Sequence, residues 1–93
     1  MAEPVTEYVI TPHAAFEMQR RRLSEEMIRA VLAAPEQQLH LRPGRVVLQS
    51  RISVGVPPRT YLIRVFVDVG RDPPEVVTAY RTSKISKYWE EGP

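Results

Sequence analysis

The sequence predicts an α+β fold: two N-terminal helices packed on a four-stranded antiparallel sheet, with a short helical turn at the C-terminus. Apolar residues recur at helical spacing before Pro35 and alternate with polar residues after it. Short segments rich in Gly and Pro separate the alternating runs, so successive strands are expected to pair as an antiparallel meander. Helices followed by strands are typical of the α+β class, and residues 1–93 are expected to form one domain.

Two capping signals place the helices. Thr11 is a good N-cap and Pro12 suits the first helical position, so the first helix is predicted to begin there and to end at Arg21. Ser24 is a second N-cap, followed by two glutamates that suit the positive end of a helix. The second helix is expected to end before Pro35, because the residue that precedes a proline disfavours helical geometry.

The rest of the chain carries four alternating segments and a tail. The predicted strands are Gln38–Leu41, Val46–Val54, Tyr61–Val69 and Glu75–Arg81. Residues 1–9 are interpreted as a lead-in, with at most a short edge strand at residues 8–10. Tyr80 and Arg81 are expected to point to opposite faces of the last strand. After Thr82, the helical spacing of Ile85 and Trp89 predicts a closing turn.

Composition excludes several kinds of site. The chain has no cysteine, which excludes disulfides, thiolate metal sites and thiol catalysis. Its two histidines and scattered acids show no metal-ligand spacing, and its four glycines form no phosphate loop, so neither a metal nor a cofactor is expected. No apolar run reaches the length of a membrane span and the N-terminus has no signal-peptide pattern, so the chain is expected to be soluble and cytoplasmic.

The positive charge is mostly arginine. The net charge is +2, and eleven of the thirteen basic residues are Arg, while only Lys84 and Lys87 are lysines. One explanation is a GC-rich genome, which favours Arg codons. The other is bidentate recognition of phosphate or carboxylate groups, for which arginine is suited. Composition alone does not decide between these two explanations for the excess of arginine.

Candidate residues for chemistry lie first between Thr11 and Ser24. His13 is in the first turn of the predicted helix, and it is either a general acid or base or a residue with a local structural role. The helix closes with Arg20, Arg21 and Arg22, which form either a solvated helix end or a phosphate clamp.

A second group of candidates lies between Tyr80 and Trp89. This segment mixes cations, hydroxyls and aromatic rings, a combination that suits nucleic acid because cations meet phosphates and rings stack on bases. The alternative interpretation is a capped C-terminal turn anchored by Tyr88 and Trp89.

The order and spacing of these motifs resemble the family called domain of unknown function 4258, over roughly residues 8–89. The resemblance is carried by His13-Ala14-x-x-x-Met18-x-x-Arg21-x-Leu23-Ser24, by Val77-Thr78-Ala79-Tyr80-Arg81 and by Lys87-Tyr88-Trp89. It implies the RelE/ParE-like, barnase-like fold of small toxins, in which two N-terminal helices pack on a four-stranded antiparallel sheet. Several such toxins cleave RNA without a metal, and many are neutralised by an antitoxin.

The leading hypothesis is therefore a toxin-like, metal-independent ribonuclease that cleaves RNA, free or ribosome-bound, through attack by the 2′-hydroxyl. In this hypothesis His13 is the general acid or base, and Arg21 and Arg81 stabilise the charge on the phosphorane. Either Lys84 or Tyr88 assists the leaving group or positions the RNA backbone. Flanking phosphates are assigned to Arg20, Arg22 and Lys87.

The alternative hypothesis is a non-catalytic module of the same fold that binds nucleic acid or protein, as a gyrase inhibitor or an inactive toxin does. An acidic antitoxin is the expected protein partner in either case. Two departures from the family pattern leave enzymatic activity open: Glu17 stands where the family often has Arg, and Arg22 where it often has Gly. Glu17 would either weaken phosphate binding or pair with His13 and orient its imidazole.

Overall fold

The computed structural model describes residues 3–91, so residues 1–2 and 92–93 of the predicted domain lie outside the described residues. In chain order the elements are β1 (Val9–Ile10), α1 (Pro12–Arg20), α2 (Glu25–Ala33), β2 (Gln37–Arg42), β3 (Arg45–Val54), β4 (Arg59–Asp68), β5 (Glu75–Thr82) and α3 (Ile85–Tyr88). The strands form one five-stranded sheet in the order β1-β5-β4-β3-β2. Within residues 3–91 no helix combines the length and the apolar character that a membrane crossing requires.

Strand β1 corrects the predicted fold. It pairs in parallel with β5, whereas the other neighbouring strands are antiparallel. The Val9 N–H donates to the Pro74 carbonyl at 2.9 Å, and the Thr11 N–H donates to the Val76 carbonyl at 3.1 Å. A two-residue strand is too short to show alternation, and its partner is more than sixty residues away in the chain. The prediction of two N-terminal helices on a four-stranded antiparallel sheet is therefore wrong: the fold is α+β with three short helices and a mixed sheet.

Both ends of α1 have side-chain or backbone caps. The Thr11 hydroxyl accepts a hydrogen bond from the Ala14 N–H at 3.1 Å, and Pro12 occupies the first helical turn. At the other end, the Leu23 N–H reaches back to the Met18 carbonyl at 2.8 Å and the Arg22 N–H to the Gln19 carbonyl at 3.2 Å. This pair of bonds is a Schellman motif, and it requires Arg22 to adopt a positive φ, here 58°.

Replacing Arg22 by glycine is expected to stabilise the protein. Glycine adopts a positive φ without the steric cost of a Cβ atom, so Arg22→Gly should raise the free energy of unfolding by about 1 kcal/mol. Chemical denaturation measures the change, with Arg29→Gly in the exposed face of α2 as the control, which should lower the free energy by about 1 kcal/mol. A loss of similar size in both variants would contradict the cap geometry.

The apolar core lies between the helices and one face of the sheet, here called the helix face. Helix α1 packs along β5, and α2 packs against β3 and β4. The Ser24 hydroxyl caps α2 by accepting from the Met27 N–H at 3.1 Å. The buried helical residues are Ala14, Met18, Ile28, Val31 and Leu32, and they meet Val46, Leu48, Ile63, Val65, Val67, Val76 and Ala79 of the sheet.

The opposite face of the sheet, here called the second face, is covered by the C-terminal tail. Val47 and Leu62 alternate with the core residues of β3 and β4 and are fully buried, yet they do not belong to the core under α1 and α2. The Tyr88 carbonyl accepts from the Gln49 side chain at 3.2 Å, which places α3 over this face. The tail therefore shields polar as well as apolar side chains of the second face.

Candidate functional site

Four polar side chains form a continuous row across the second face. Gln37 of β2, Gln49 of β3, Arg64 of β4 and Tyr80 of β5 are successive partners in the strand register. The Arg64 Nε donates to Gln49 Oε1 at 2.9 Å, and Arg64 Nη1 donates to the Tyr80 hydroxyl at 2.7 Å. Gln49 Nε2 in turn donates to Gln37 Oε1 at 2.8 Å. This polar row fixes the position and the plane of the Arg64 guanidinium.

Arg64 is a buried cation without a carboxylate partner. It is 8% exposed, and none of the ion pairs formed within residues 3–91 includes it. Buried charges in proteins are ordinarily paired, because removing an ion from water is costly. A guanidinium has five N–H donors, and the hydrogen bonds of the described residues engage only Nε and Nη1 of Arg64. The remaining donors and the unpaired charge suit an anionic ligand.

Three aromatic rings surround the Arg64 guanidinium. Its central carbon lies 4.5 Å from the ring centre of Tyr88, 5.4 Å from that of Phe66 and 5.8 Å from that of Tyr80. These cation–π contacts stabilise the charge without neutralising it. All three rings are half-buried and Arg64 is 8% exposed, so the cage keeps some contact with solvent. An anion that bound Arg64 would have to reach it from this side.

Glutamine side chains hold the tail against the polar row. Gln37 Nε2 donates to the Glu90 carbonyl at 2.7 Å, and the Glu90 N–H donates to Gln37 Oε1 at 3.1 Å. The side-chain amide thus pairs with the tail backbone as a neighbouring strand would. One residue earlier, the Trp89 ring lies 4.1 Å from the Arg51 guanidinium. These contacts bring Tyr88 to Arg64.

Tyr88 has a perturbed hydroxyl. Hydrogen bonding to the Lys87 ammonium lowers the pKa of Tyr88 from its ordinary value, and the Lys87 charge, a hydrogen bond with Tyr80 and the Arg64 charge act in the same direction. Desolvation opposes these effects and is outweighed. A phenol with a lowered pKa is a stronger proton donor, so Tyr88 is suited to general acid catalysis beside the cations.

The first predicted group, on α1, is organised around Glu17. The Glu17 carboxylate is close to the guanidinium groups of Arg20, at 2.6 Å, and Arg21, at 3.1 Å, and its side chain is only 11% exposed. The hydrogen bond from Arg20 lowers the pKa of Glu17, with the charges of Arg20, Arg21 and His13 acting in the same direction against desolvation. His13 itself is exposed at the start of the helix. Glu17 therefore pairs with two of the three arginines at the end of α1, and its single negative charge offsets one of their two positive charges.

Arg21 also fastens α1 to the sheet edge. Its Nη1 donates to the Ala79 carbonyl at 2.9 Å and to the Thr78 hydroxyl at 3.4 Å. These acceptors lie on β5 beyond the two residues that pair with β1. Arg21 thus contacts the part of the β5 edge that β1 does not pair with. Its guanidinium has three acceptors in the protein: Thr78, Ala79 and Glu17.

Loss of the Glu17 charge is expected to destabilise the fold at neutral pH. Glu17→Gln should lower the melting temperature, because the neutral amide cannot form the ion pairs with Arg20 and Arg21. The pKa of Glu17 is lower in the folded protein than in the unfolded chain, so its ionised carboxylate stabilises the fold at pH values above the unfolded-state pKa. This stabilisation is lost as the pH falls through the folded-state pKa. The melting temperatures of the two proteins should therefore converge in acid.

Thermal unfolding followed by circular dichroism from neutral to acid pH measures this effect. Glu7→Gln is the matched control, since Glu7 is exposed and forms none of the ion pairs found within residues 3–91. Equal melting temperatures for Glu17→Gln and the wild type at neutral pH would contradict the structural role of this carboxylate.

The remaining predicted residues lie in two other places. Arg81 lies on the helix face opposite Ile63, whereas Tyr80 lies opposite Arg64, which confirms that these two neighbours point to opposite faces. Lys84 is exposed just before α3, where its N–H donates to the Thr82 hydroxyl at 3.0 Å. No hydrogen bond or ion pair among residues 3–91 joins His13 to Arg81 or Lys84. The exposed Arg22 follows Arg21, the C-cap of α1, with a positive φ, and Lys87 lies beside Tyr88.

The family model described as Domain of unknown function (DUF4258) matches residues 10–81, more than half of the chain. The chain belongs to the DUF4258 family. The DUF4258 match runs from the end of β1 to the end of β5 and includes all four residues of the polar row, while Tyr88 and Lys87 follow it. No curated protein and no solved structure matches the chain.

Sequence reasoning on this DUF4258 chain did not assign a role to Arg64 or Gln49. The available signal is a charged residue in the middle of the apolar run from Leu62 to Val67, within the predicted strand Tyr61–Val69. Alternation along this strand puts Arg64 and Ile63 on opposite faces, but a local pattern cannot show that the tail covers Arg64. Within residues 3–91, no three His, Cys, Asp or Glu side chains come together as metal ligands would.

Proposed function

We propose that the chain is a toxin-like, metal-independent ribonuclease of the RelE/ParE-like kind that acts on RNA in the cytoplasm, with its reacting site around Arg64 and Tyr88. One observation carries the proposal: a buried guanidinium with no carboxylate partner lies 4.5 Å from the ring of a tyrosine whose pKa is lowered. A preorganised cation next to a proton donor is what stabilisation of a phosphorane requires.

The proposed reaction is transfer of the phosphate to the neighbouring 2′-oxygen. The 2′-oxygen forms a bond to phosphorus while the bond from phosphorus to the 5′-oxygen breaks, which leaves a 2′,3′-cyclic phosphate and a 5′-hydroxyl. Arg64 stabilises the charge on the phosphorane, and the Tyr88 hydroxyl donates its proton to the leaving 5′-oxygen. The proton of the 2′-hydroxyl passes to water. This assignment gives His13 no proton transfer.

A second candidate function is binding of nucleic acid without cleavage. It is favoured by Glu17, whose carboxylate forms ion pairs with Arg20 and Arg21 and so makes them less available to a reacting phosphate. Aromatic rings and cations on the second face would still bind a nucleic-acid strand, through stacking on its bases and contacts with its phosphates. An acidic antitoxin is the protein partner we propose for either function, because the exposed charged residues of β4 and β5 are the arginines Arg59 and Arg81, whereas the acids Asp68 and Glu75 are half-buried.

Incubation of the purified protein with RNA, alone and with ribosomes, tests the ribonuclease. Fragments that end in a 2′,3′-cyclic phosphate are expected, with the same yield in the presence of a chelator. Expression should also arrest growth, and co-expression of an acidic antitoxin should relieve the arrest. Absence of both cleavage and growth arrest would refute the enzyme, whereas salt-sensitive binding without a product would support the second candidate.

A further inference from the structure

Two arginine side chains lie beside the ring of Tyr61 on the helix face, near the start of β4. The Arg59 guanidinium lies 5.7 Å from the ring centre of Tyr61, and the Arg81 guanidinium lies 4.9 Å from it. Arg59 and Tyr61 are two residues apart on β4, so their side chains lie on the same face. Ile63 is the next residue of that face, and Arg81 lies opposite it on β5. Strand register therefore fixes all three side chains on one surface, here called the Tyr61 cluster.

The Tyr61 cluster is a concentration of positive charge without a counter-charge. Arg59 and Arg81 are exposed, and the ion pairs within residues 3–91 include neither of them. Because the two guanidinium groups lie 5.7 Å and 4.9 Å from the same ring centre, their like charges repel, and an anion would remove this electrostatic cost. Two guanidinium groups beside one ring suit a phosphate group, which accepts bidentate hydrogen bonds from arginine.

A short path connects the Tyr61 cluster with Arg64 around the end of the sheet. Arg81 lies on the helix face, Thr82 follows it on the second face, and the chain then continues through Lys84 into α3. Lys84 is exposed and lies in the chain between the end of β5 and the start of α3. It is a further cation that an RNA strand passing between the two surfaces could contact.

We infer that the Tyr61 cluster is a second phosphate-binding subsite, which takes a backbone phosphate of the same RNA strand that reacts at Arg64. The inference rests on the proposed function and narrows its substrate to single-stranded RNA. A duplex is stiff over about 150 base pairs and cannot fold around the end of a sheet, whereas a single strand bends freely between successive phosphates.

Fluorescence anisotropy with a labelled single-stranded RNA of about a dozen nucleotides tests the subsite. The double variant Arg59→Ala, Arg81→Ala should bind it about tenfold more weakly than the wild type, and the slope of log K against log salt should fall by about 0.7, the value for one phosphate on a single strand. Binding of a trinucleotide should not change. The double variant Arg29→Ala, Arg42→Ala removes the same charge from exposed positions on α2 and β2 and is the control. Equal losses in both double variants would overturn the subsite.

A second measurement separates this subsite from the proposed reaction. Inorganic pyrophosphate is titrated while the Nε–Hε resonances of Arg59 and Arg81 are followed by NMR, in the wild type and in Arg64→Gln. Shifts of these resonances in both proteins are expected, and they would support the subsite even if no RNA is cleaved. Absence of shifts in the wild type would overturn the subsite even if cleavage is observed.

Discussion

Arg64→Gln is expected to lower kcat for RNA cleavage by about 10²- to 10³-fold, the usual effect of removing one preorganised donor to a developing negative charge. Glutamine removes the positive charge while its amide can still donate to Gln49, so the fold should persist. Cleavage of a labelled RNA, together with the far- and near-ultraviolet circular dichroism of the variant, measures both expectations.

Two further variants separate a catalytic from a structural role of Arg64. Arg64→Lys keeps the charge but cannot donate to Gln49 and Tyr80 in one plane, so it should restore only part of the rate. Arg45→Gln removes an arginine from the same face, close to Asp68 and outside the polar row, and should leave the rate near that of the wild type. Equal losses in Arg45→Gln and Arg64→Gln would show a general effect of charge and contradict the assignment.

Tyr88→Phe is expected to lower the cleavage rate by about 10²- to 10⁴-fold, the range for loss of a general acid. The wild-type rate should fall as the pH rises through the lowered pKa of Tyr88, because the phenolate has no proton to donate. Tyr88→Phe should lack this decrease. The pH dependence of kcat, measured from neutral to alkaline pH, checks both parts of the prediction.

Lys87→Gln gives a readout that a purely structural role of Tyr88 would not change. Removing the ammonium group takes away the largest influence that lowers the pKa of Tyr88, so the alkaline decrease in rate should move to higher pH. His13→Ala should leave the profile unaltered. If His13→Ala lost activity while Tyr88→Phe kept full activity, His13 on α1 would be the proton-transfer residue, and the proposed site would be contradicted.

Several features of the chain could be predicted from sequence because they depend on neighbouring residues. Thr11 and Ser24 cap α1 and α2 as expected, since a cap needs only a side-chain oxygen and the next turn of backbone. The opposite orientation of Tyr80 and Arg81 follows from the pleat of a single strand. Glu17 was expected either to weaken phosphate binding or to pair with His13, but its ion pairs within residues 3–91 are with Arg20 and Arg21, one turn later on the same helix.

Contacts between distant segments had no such local signal. Strand β1 joins β5 across most of the chain, and this pairing changed the expected four-stranded antiparallel sheet into a five-stranded mixed one. Arg21 meets the edge of β5, so α1 does reach the C-terminal half, but it does so as a support of the sheet edge. The composite site of His13 with Arg81 and Lys84 stays a prediction, and no contact within residues 3–91 assembles it.

The sequence alone determined where α1 and α2 begin and which residues alternate along each strand, because these properties are set by side chains within a turn or a pleat of one another. Only the tertiary structure decided that Arg64 is buried and that the ion pairs within residues 3–91 do not include it. Its burial depends on the register of four strands from Gln37 to Tyr80 and on a tail that returns over the second face. The free energy of a buried charge is set by everything around it, so it can be judged only after the chain has folded.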